Sequence, residues 1–121
     1  MASNHKFYFD RDRTPRARGP VAERIFMSFL ETDVQGSDHV CRTLMDDLEA
    51  VEDGTDESRE FTGNAHAATL TRDGVTIATL PADSGETYST GLKHFREVLE
   101  DWEAFILDDG SDAAVDDDLS V

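Results

Sequence analysis

Two alternating apolar runs, Phe61 to Thr71 and Val75 to Leu80, are separated only by Arg72-Asp73-Gly74, and no other stretch constrains the fold as much. A period of two places every second side chain on the same face of a strand. Asp-Gly between such runs predicts a type I′ hairpin, because both central residues accept positive φ. Ala68 and Leu70 then share a face with Val75 and Ile77, and that half-apolar surface requires a covering layer.

Helical segments supply the cover. From Asp38 to Glu52, residues Val40, Cys41, Leu44, Met45, Leu48 and Val51 form one apolar stripe, with Asp46, Asp47 and Glu49 opposite. Ser37 or Asp38 suits the N-cap and Gly54 the stop. A second helix is expected over Gly91 to Leu107, capped by Ser89 or Thr90, with Leu92, Phe95, Val98, Leu99, Trp102, Phe105 and Ile106 inward. Val21 to Glu31 fits two patterns. Ala22, Ile25, Phe26, Phe29 and Leu30 keep helical spacing behind Pro20, which is the reading preferred, whereas Ile25, Met27 and Phe29 also alternate as a strand would. Near the N-terminus, His5 to Asp10 alternates as a strand with Phe7 and Phe9 inward. Asp10 to Thr14 reads as a turn, and Pro15 to Arg18 as a returning edge strand. Asp53 to Glu60 and Pro81 to Glu86 read as loops.

The expected architecture is therefore α+β: a small antiparallel sheet, made of N-terminal strands plus an Asp-Gly hairpin, packed against two or three helices. Residues 1–107 form one domain, which the length of 121 residues allows without metals or disulfides. Asp108 to Val121 lacks periodicity and reads as an acidic disordered tail.

Charge restricts function. The chain carries 27 Asp and Glu against 11 Lys and Arg, a net charge of −16, and the acids are spread over every segment. Such a spread is what adaptation to molar salt predicts, with nucleic-acid mimicry or a basic protein partner as the competing readings. Binding to nucleic acid is disfavoured, because that affinity comes mainly from neutralising phosphates. Arg11, Arg13, Arg16 and Arg18 form a short basic cluster, read as a solvated hairpin end or an acidic contact. No signal-peptide stretch or membrane span is recognisable, so a cytoplasmic location is expected. Cys41 is the single cysteine, and its place on an apolar stripe suits inert packing.

Local motifs for chemistry are missing. His5, His39, His66 and His94 fall in different elements, and no His-Glu-x-x-His or cysteine pair occurs, so neither a metal nor another cofactor is expected. An EF-hand register through Gly54 places Val51 where a ligand is required. Paired acids such as Asp46/Asp47 and Glu100/Asp101 read as solvated helix faces. Gly63 lacks the further glycines and the following helix of a phosphate loop. It does suggest a bulge or a close backbone approach, beside an Asn64 that tolerates left-handed geometry. Gly63, Asn64 and His66 are accordingly structural punctuation or a polar recognition site.

The segments Phe7 to Asp12, Phe29 to Gly36 (Phe-Leu-x-x-Asp-Val-Gln-Gly), Phe61 to Val75 and Tyr88 to Ile106 resemble, in this order, the YacL-like family of small cytoplasmic proteins. Some look-alikes of that family resemble immunity proteins of bacterial toxin systems. The resemblance brings no catalytic residues. Together with the acidic composition, which points to a halophile, the expectation is a non-enzymatic protein that binds another protein, as an immunity-type inhibitor or an accessory factor. The alternative is a small hydrolase or transferase whose site is assembled from His66, Asn64 and His94.

Overall fold

The computed structural model describes residues 5–80 and 86–112 and has an α+β fold. Strands β1 (Lys6–Phe9) and β2 (Pro15–Arg18) form an antiparallel hairpin, and β3 (Ser58–Thr62), β4 (His66–Thr71), β5 (Gly74–Thr79) and β6 (Thr87–Thr90) form an antiparallel meander in that order. Three helices, α1 (Arg24–Phe29), α2 (Asp38–Glu52) and α3 (Leu92–Asp112), accompany the sheets.

The N-terminal hairpin lies where predicted, with its first strand one residue shorter at each end. Its turn is held by Asp10, whose Oδ1 accepts from Asp12 N at 2.9 Å and Thr14 N at 3.0 Å, and it passes through Arg13 at φ 67. Residues 21–34 resolve as helix rather than strand. Pro20 opens a 3-10 turn (Val21–Glu23), α1 follows, and Leu30–Val34 widens into a π turn closed by Gln35 N on Leu30 O at 2.7 Å. Ile25, Phe26, Met27, Phe29, Leu30 and Val34 are buried, whereas Ala22, expected in the stripe, is exposed. Helix α2 starts at the expected cap, Ser37 accepting from Val40 N at 3.2 Å, and Gly54 follows it at φ 85.

Five expectations need correction. Asp47 is not on the wet face of α2. It is 7% exposed and lies 3.0 Å from Arg59 Nη1, an ion pair being the usual condition for burying a carboxylate. Ser58–Glu60, expected as the end of a loop, join Phe61 and Thr62 in a strand separate from the one that starts at His66, and Ser89 and Thr90, expected as helix caps, lie in the strand Thr87–Thr90, because β4 and β5 each offer a free edge for pairing. The hairpin turns on Arg72-Asp73, since Thr71 pairs with Gly74, and neither central residue takes positive φ, so it is not type I′. Gly74 itself sits at φ 148, and a Cβ there would lie 2.6 Å from Thr90 O, so glycine is needed for β6 to approach. Finally, α3 runs to Asp112, past the expected end at Leu107, since helix propagation needs only one further hydrogen bond per residue. The remainder of the predicted tail, and the loop over 81–85, lie outside the described residues.

The inner face of the meander carries Ala68, Leu70, Val75 and Ile77, all buried, with Ala68 paired to Ile77 and Leu70 to Val75 as the alternation implied. Phe26, Phe29, Phe95, Leu44, Leu48 and Leu99 complete the core from the helices. Full burial of each such side chain is worth roughly 1.5–3 kcal/mol. Trp102 is also fully buried, between the N-terminal hairpin, its own helix and the end of the π turn. Phe7 meets it edge-on at 5.0 Å, Phe105 lies at 5.3 Å, and its indole N–H donates to Gln35 O at 2.8 Å. The basic residues of β2 close the same corner. Arg16 and Arg18 both lie 3.5 Å from Glu31, whose carboxylate also accepts from Ala17 N at 2.6 Å.

The outer face of the meander has a different chemistry. Its rows, read across the register, are Glu60–Thr69–Thr76–Ser89, Ser58–Thr71–Gly74 and Thr62–Ala67–Ala78–Thr87. All are half-buried or exposed, and none is a large apolar residue.

Candidate functional site

The residues singled out around Gly63 are wrapped around a carboxylate that local pattern did not reveal. Asp33, on the π turn, is 0% exposed at its side chain. Its Oδ1 accepts from Asn64 N at 2.5 Å and Ala65 N at 3.0 Å, and its Oδ2 lies 2.7 Å from His66 Nδ1. The network assigns the tautomer. Thr32 Oγ1 donates to Ser28 O at 2.7 Å, so toward His66 Nδ1, 3.3 Å away, it accepts. His66 Nδ1 therefore carries the proton and shares it between Thr32 and Asp33. Phe29 packs edge-on against the imidazole at 6.0 Å, and His66 is 3% exposed.

Gly63 explains itself in this setting. A Cβ there would meet Asp33 Cγ at 2.5 Å, so only glycine admits the carboxylate, and Gly63 N closes the turn on His66 O at 2.8 Å. The close backbone approach expected from the sequence is present, and what approaches is Asp33. The whole Phe29–Gly36 stretch acts as a hub. Glu31 holds the N-terminal hairpin, Thr32 and Asp33 hold the turn before β4, and Gln35 holds Trp102. The signal for Asp33 was indirect: a glycine crowded by an unidentified neighbour.

His66 and His94, which the hydrolase reading would join with Asn64, have different partners. His94 on α3 points Nε2 at Glu23 Oε1, 3.3 Å away. His5 Nε2 approaches the same oxygen at 2.6 Å, and the two imidazole centroids are 5.8 Å apart. The three ligand atoms lie within 4.8 Å of one another. Gly19 makes room for His5, since a Cβ there would stand 2.9 Å from the ring. Phe7 and Phe26 flank the imidazoles at 6.3 and 6.1 Å. Burial pushes the Glu23 carboxyl upward, but the hydrogen bonds and charges of His5 and His94 together outweigh it, and the net shift is below the ordinary value. Two of the histidines that the sequence left in separate elements thus meet on tertiary grounds, because His5, Glu23 and His94 belong to three segments brought together only by folding.

Cys41 is fully buried, and burial, with Glu103 and Asp38 nearby, pushes its thiol up to about 12, far from a reactive thiolate. No helix among the described residues is long and apolar enough to cross a membrane. No protein-family model matches the chain, and no curated protein or solved structure is significantly similar to it.

Proposed function

We propose that this protein is a non-enzymatic binding domain, working in the cytoplasm of a salt-loving cell, and that its partner is a protein with a basic surface. The observation that carries this reading is the outer face of the β3–β6 meander. Helices cover the other face of the sheet, while this one offers a flat array of hydroxyls such as Thr69, Thr76 and Ser89, with Glu60 and Asp73 beside them. Thr76 and Ser89 already hydrogen-bond across the strands at 3.0 Å, so the array is ordered before any partner arrives. A depression in it, lined by Thr69, Thr76 and Ser89 among others, has a volume of about 150 Å³, smaller than the roughly 300–1,000 Å³ of small-molecule sites. Hydroxyls and carboxylates on a chain of net charge −16 complement Arg and Lys donors. The separate engagement of His66 by Asp33 and of His94 by Glu23 supports binding over the hydrolase alternative.

The test is a pull-down in molar KCl with three baits: wild type, Thr69→Arg/Thr76→Arg, and Glu100→Arg. The double variant and the control each shift the net charge by two positive units, so they are matched in net charge and place it at different sites. Loss of the captured protein with the double variant alone is the expected result. Capture that survives the double variant would refute the assignment to this face.

A further inference from the structure

We propose that His5, Glu23 and His94 form a binding site for a divalent transition metal, zinc being the best chemical match, and that the bound ion staples the N-terminal strand to α3. The donor set is two imidazole nitrogens and one carboxylate oxygen, a combination that leaves a fourth position for water in tetrahedral zinc sites. Ligands about 2.0–2.1 Å from a tetrahedral ion stand roughly 3.3 Å from one another. His94 Nε2 and Glu23 Oε1 have that separation, at 3.3 Å. His5 Nε2, 2.6 Å from the same oxygen, is in hydrogen-bond contact, and the ion would take the place of its proton.

Three features distinguish this cluster from a surface acid patch. Two of the four histidines of the chain converge on one carboxylate oxygen although they lie 89 positions apart in the sequence, as residues 5 and 94. The His5 and Glu23 side chains are only 8% and 18% exposed, and His94, at 36%, keeps a path open to solvent for the ion and its water. The space for His5 exists only because residue 19 is glycine, and Phe7 and Phe26 supply an apolar wall that fixes both rings. One zinc ion with two neutral imidazoles and one carboxylate leaves a local charge of +1, which the surrounding chain of net charge −16 stabilises.

The ion would act on stability. His5 precedes β1, Glu23 ends the 3-10 turn and His94 lies in the first turns of α3, so coordination closes a long chain segment. A ligand at about 100 times its Kd that binds only the folded form should raise the melting midpoint of a domain this size by roughly 10 °C. The full chain, stripped with chelator and held in molar KCl, is titrated with Zn²⁺, Co²⁺ and Mg²⁺ and followed by calorimetry, thermal melting and the visible Co²⁺ spectrum. One Zn²⁺ per chain, a rise in melting midpoint, and tetrahedral Co²⁺ bands are expected, with no saturable response to Mg²⁺. His94→Gln and Glu23→Gln should each weaken Zn²⁺ binding by more than about 100-fold, beyond the roughly 10–100-fold cost of losing outer-shell support. His39→Gln, at an exposed histidine, should leave it unchanged. Absence of stoichiometric binding, an equal response to Mg²⁺, or binding indifferent to both ligand variants would overturn the site. If a ligand variant fails to fold, the wild-type Co²⁺ spectrum decides: octahedral or absent bands refute it.

Discussion

Replacing Asp33 with alanine should be among the most damaging changes in this protein. The carboxylate accepts from two backbone N–H groups and from His66, at 2.5, 3.0 and 2.7 Å, and its side chain is sealed from solvent. A hydrogen bond to a charged group is worth about 1.5–3 kcal/mol net, so simple addition would give roughly 4–9 kcal/mol. Such bonds are not additive, and removing one partner of a buried pair typically costs about 3–5 kcal/mol, which is the loss expected here. That is a large part of the roughly 5–15 kcal/mol that stabilises a domain. Urea unfolding in molar KCl measures it. Gly63→Ala supplies the second arm, because its Cβ would fall 2.5 Å from Asp33 Cγ. Overpacking of this kind costs about 1–3 kcal/mol. In the Asp33→Ala background the Cγ and both oxygens are gone, so Gly63→Ala should cost less there than in the wild type. The double-mutant cycle should return a coupling of about 1 kcal/mol or more. A loss below about 1 kcal/mol for Asp33→Ala, or strictly additive effects, would refute the account of Gly63-Asn64-Ala65-His66 as a cradle for this carboxylate.

Trp102→Ala should cost about 3–5 kcal/mol, since it empties a fully buried site and orphans Gln35 O; a denaturant melt showing under about 1 kcal/mol would contradict the packing on Phe7. Asp47 has its carboxyl raised by burial, against the pull of Arg59. The folded chain therefore holds that proton more readily than the unfolded one, so this group favours folding as pH falls and opposes it as pH rises through the folded pKa. Asp47→Asn should thus be at least as stable as wild type at neutral pH, with the gap closing in acid, and a large neutral-pH loss in thermal melts would show that the ion pair dominates. Removal of salt should destabilise the whole domain. Two like charges 10 Å apart in water repel by about 0.4 kcal/mol, and a net −16 contains many such pairs. Screening over about 3 Å at 1 M salt removes most of that repulsion, and at 0.01 M, where it extends about 30 Å, the repulsion acts across the molecule. Circular dichroism from molar to millimolar KCl should record progressive unfolding, and equal stability at both ends would leave salt adaptation without support.

Much of the architecture was legible because its causes are local. Alternation set β1, β4 and β5, a continuous apolar stripe set α2 and α3, and Ser37, Gly54 and Pro20 act on their own neighbours as cap, stop and opener. Residues 21–31 were ambiguous, because an apolar run of that length satisfies both periods until a sheet is there for it to cover. Strand β6 was hidden for a related reason: Thr87-Tyr88-Ser89-Thr90 resembles a helix cap, and only the free edge of β5 and the packing of Tyr88 on Phe26 at 5.7 Å make it a strand. The sites were least legible. Gly63 marked a crowded position, but the crowding atom belongs to a residue 30 positions earlier in the chain, on a different element. His5, Glu23 and His94, separated by 18 and 71 residues, share no local pattern at all. Periodicity and turn chemistry act over a few residues and so can be read along the chain. Which carboxylate meets which imidazole depends on the packing of whole elements, and that was decided only when the hairpin, the 3-10 turn and α3 closed on a common core.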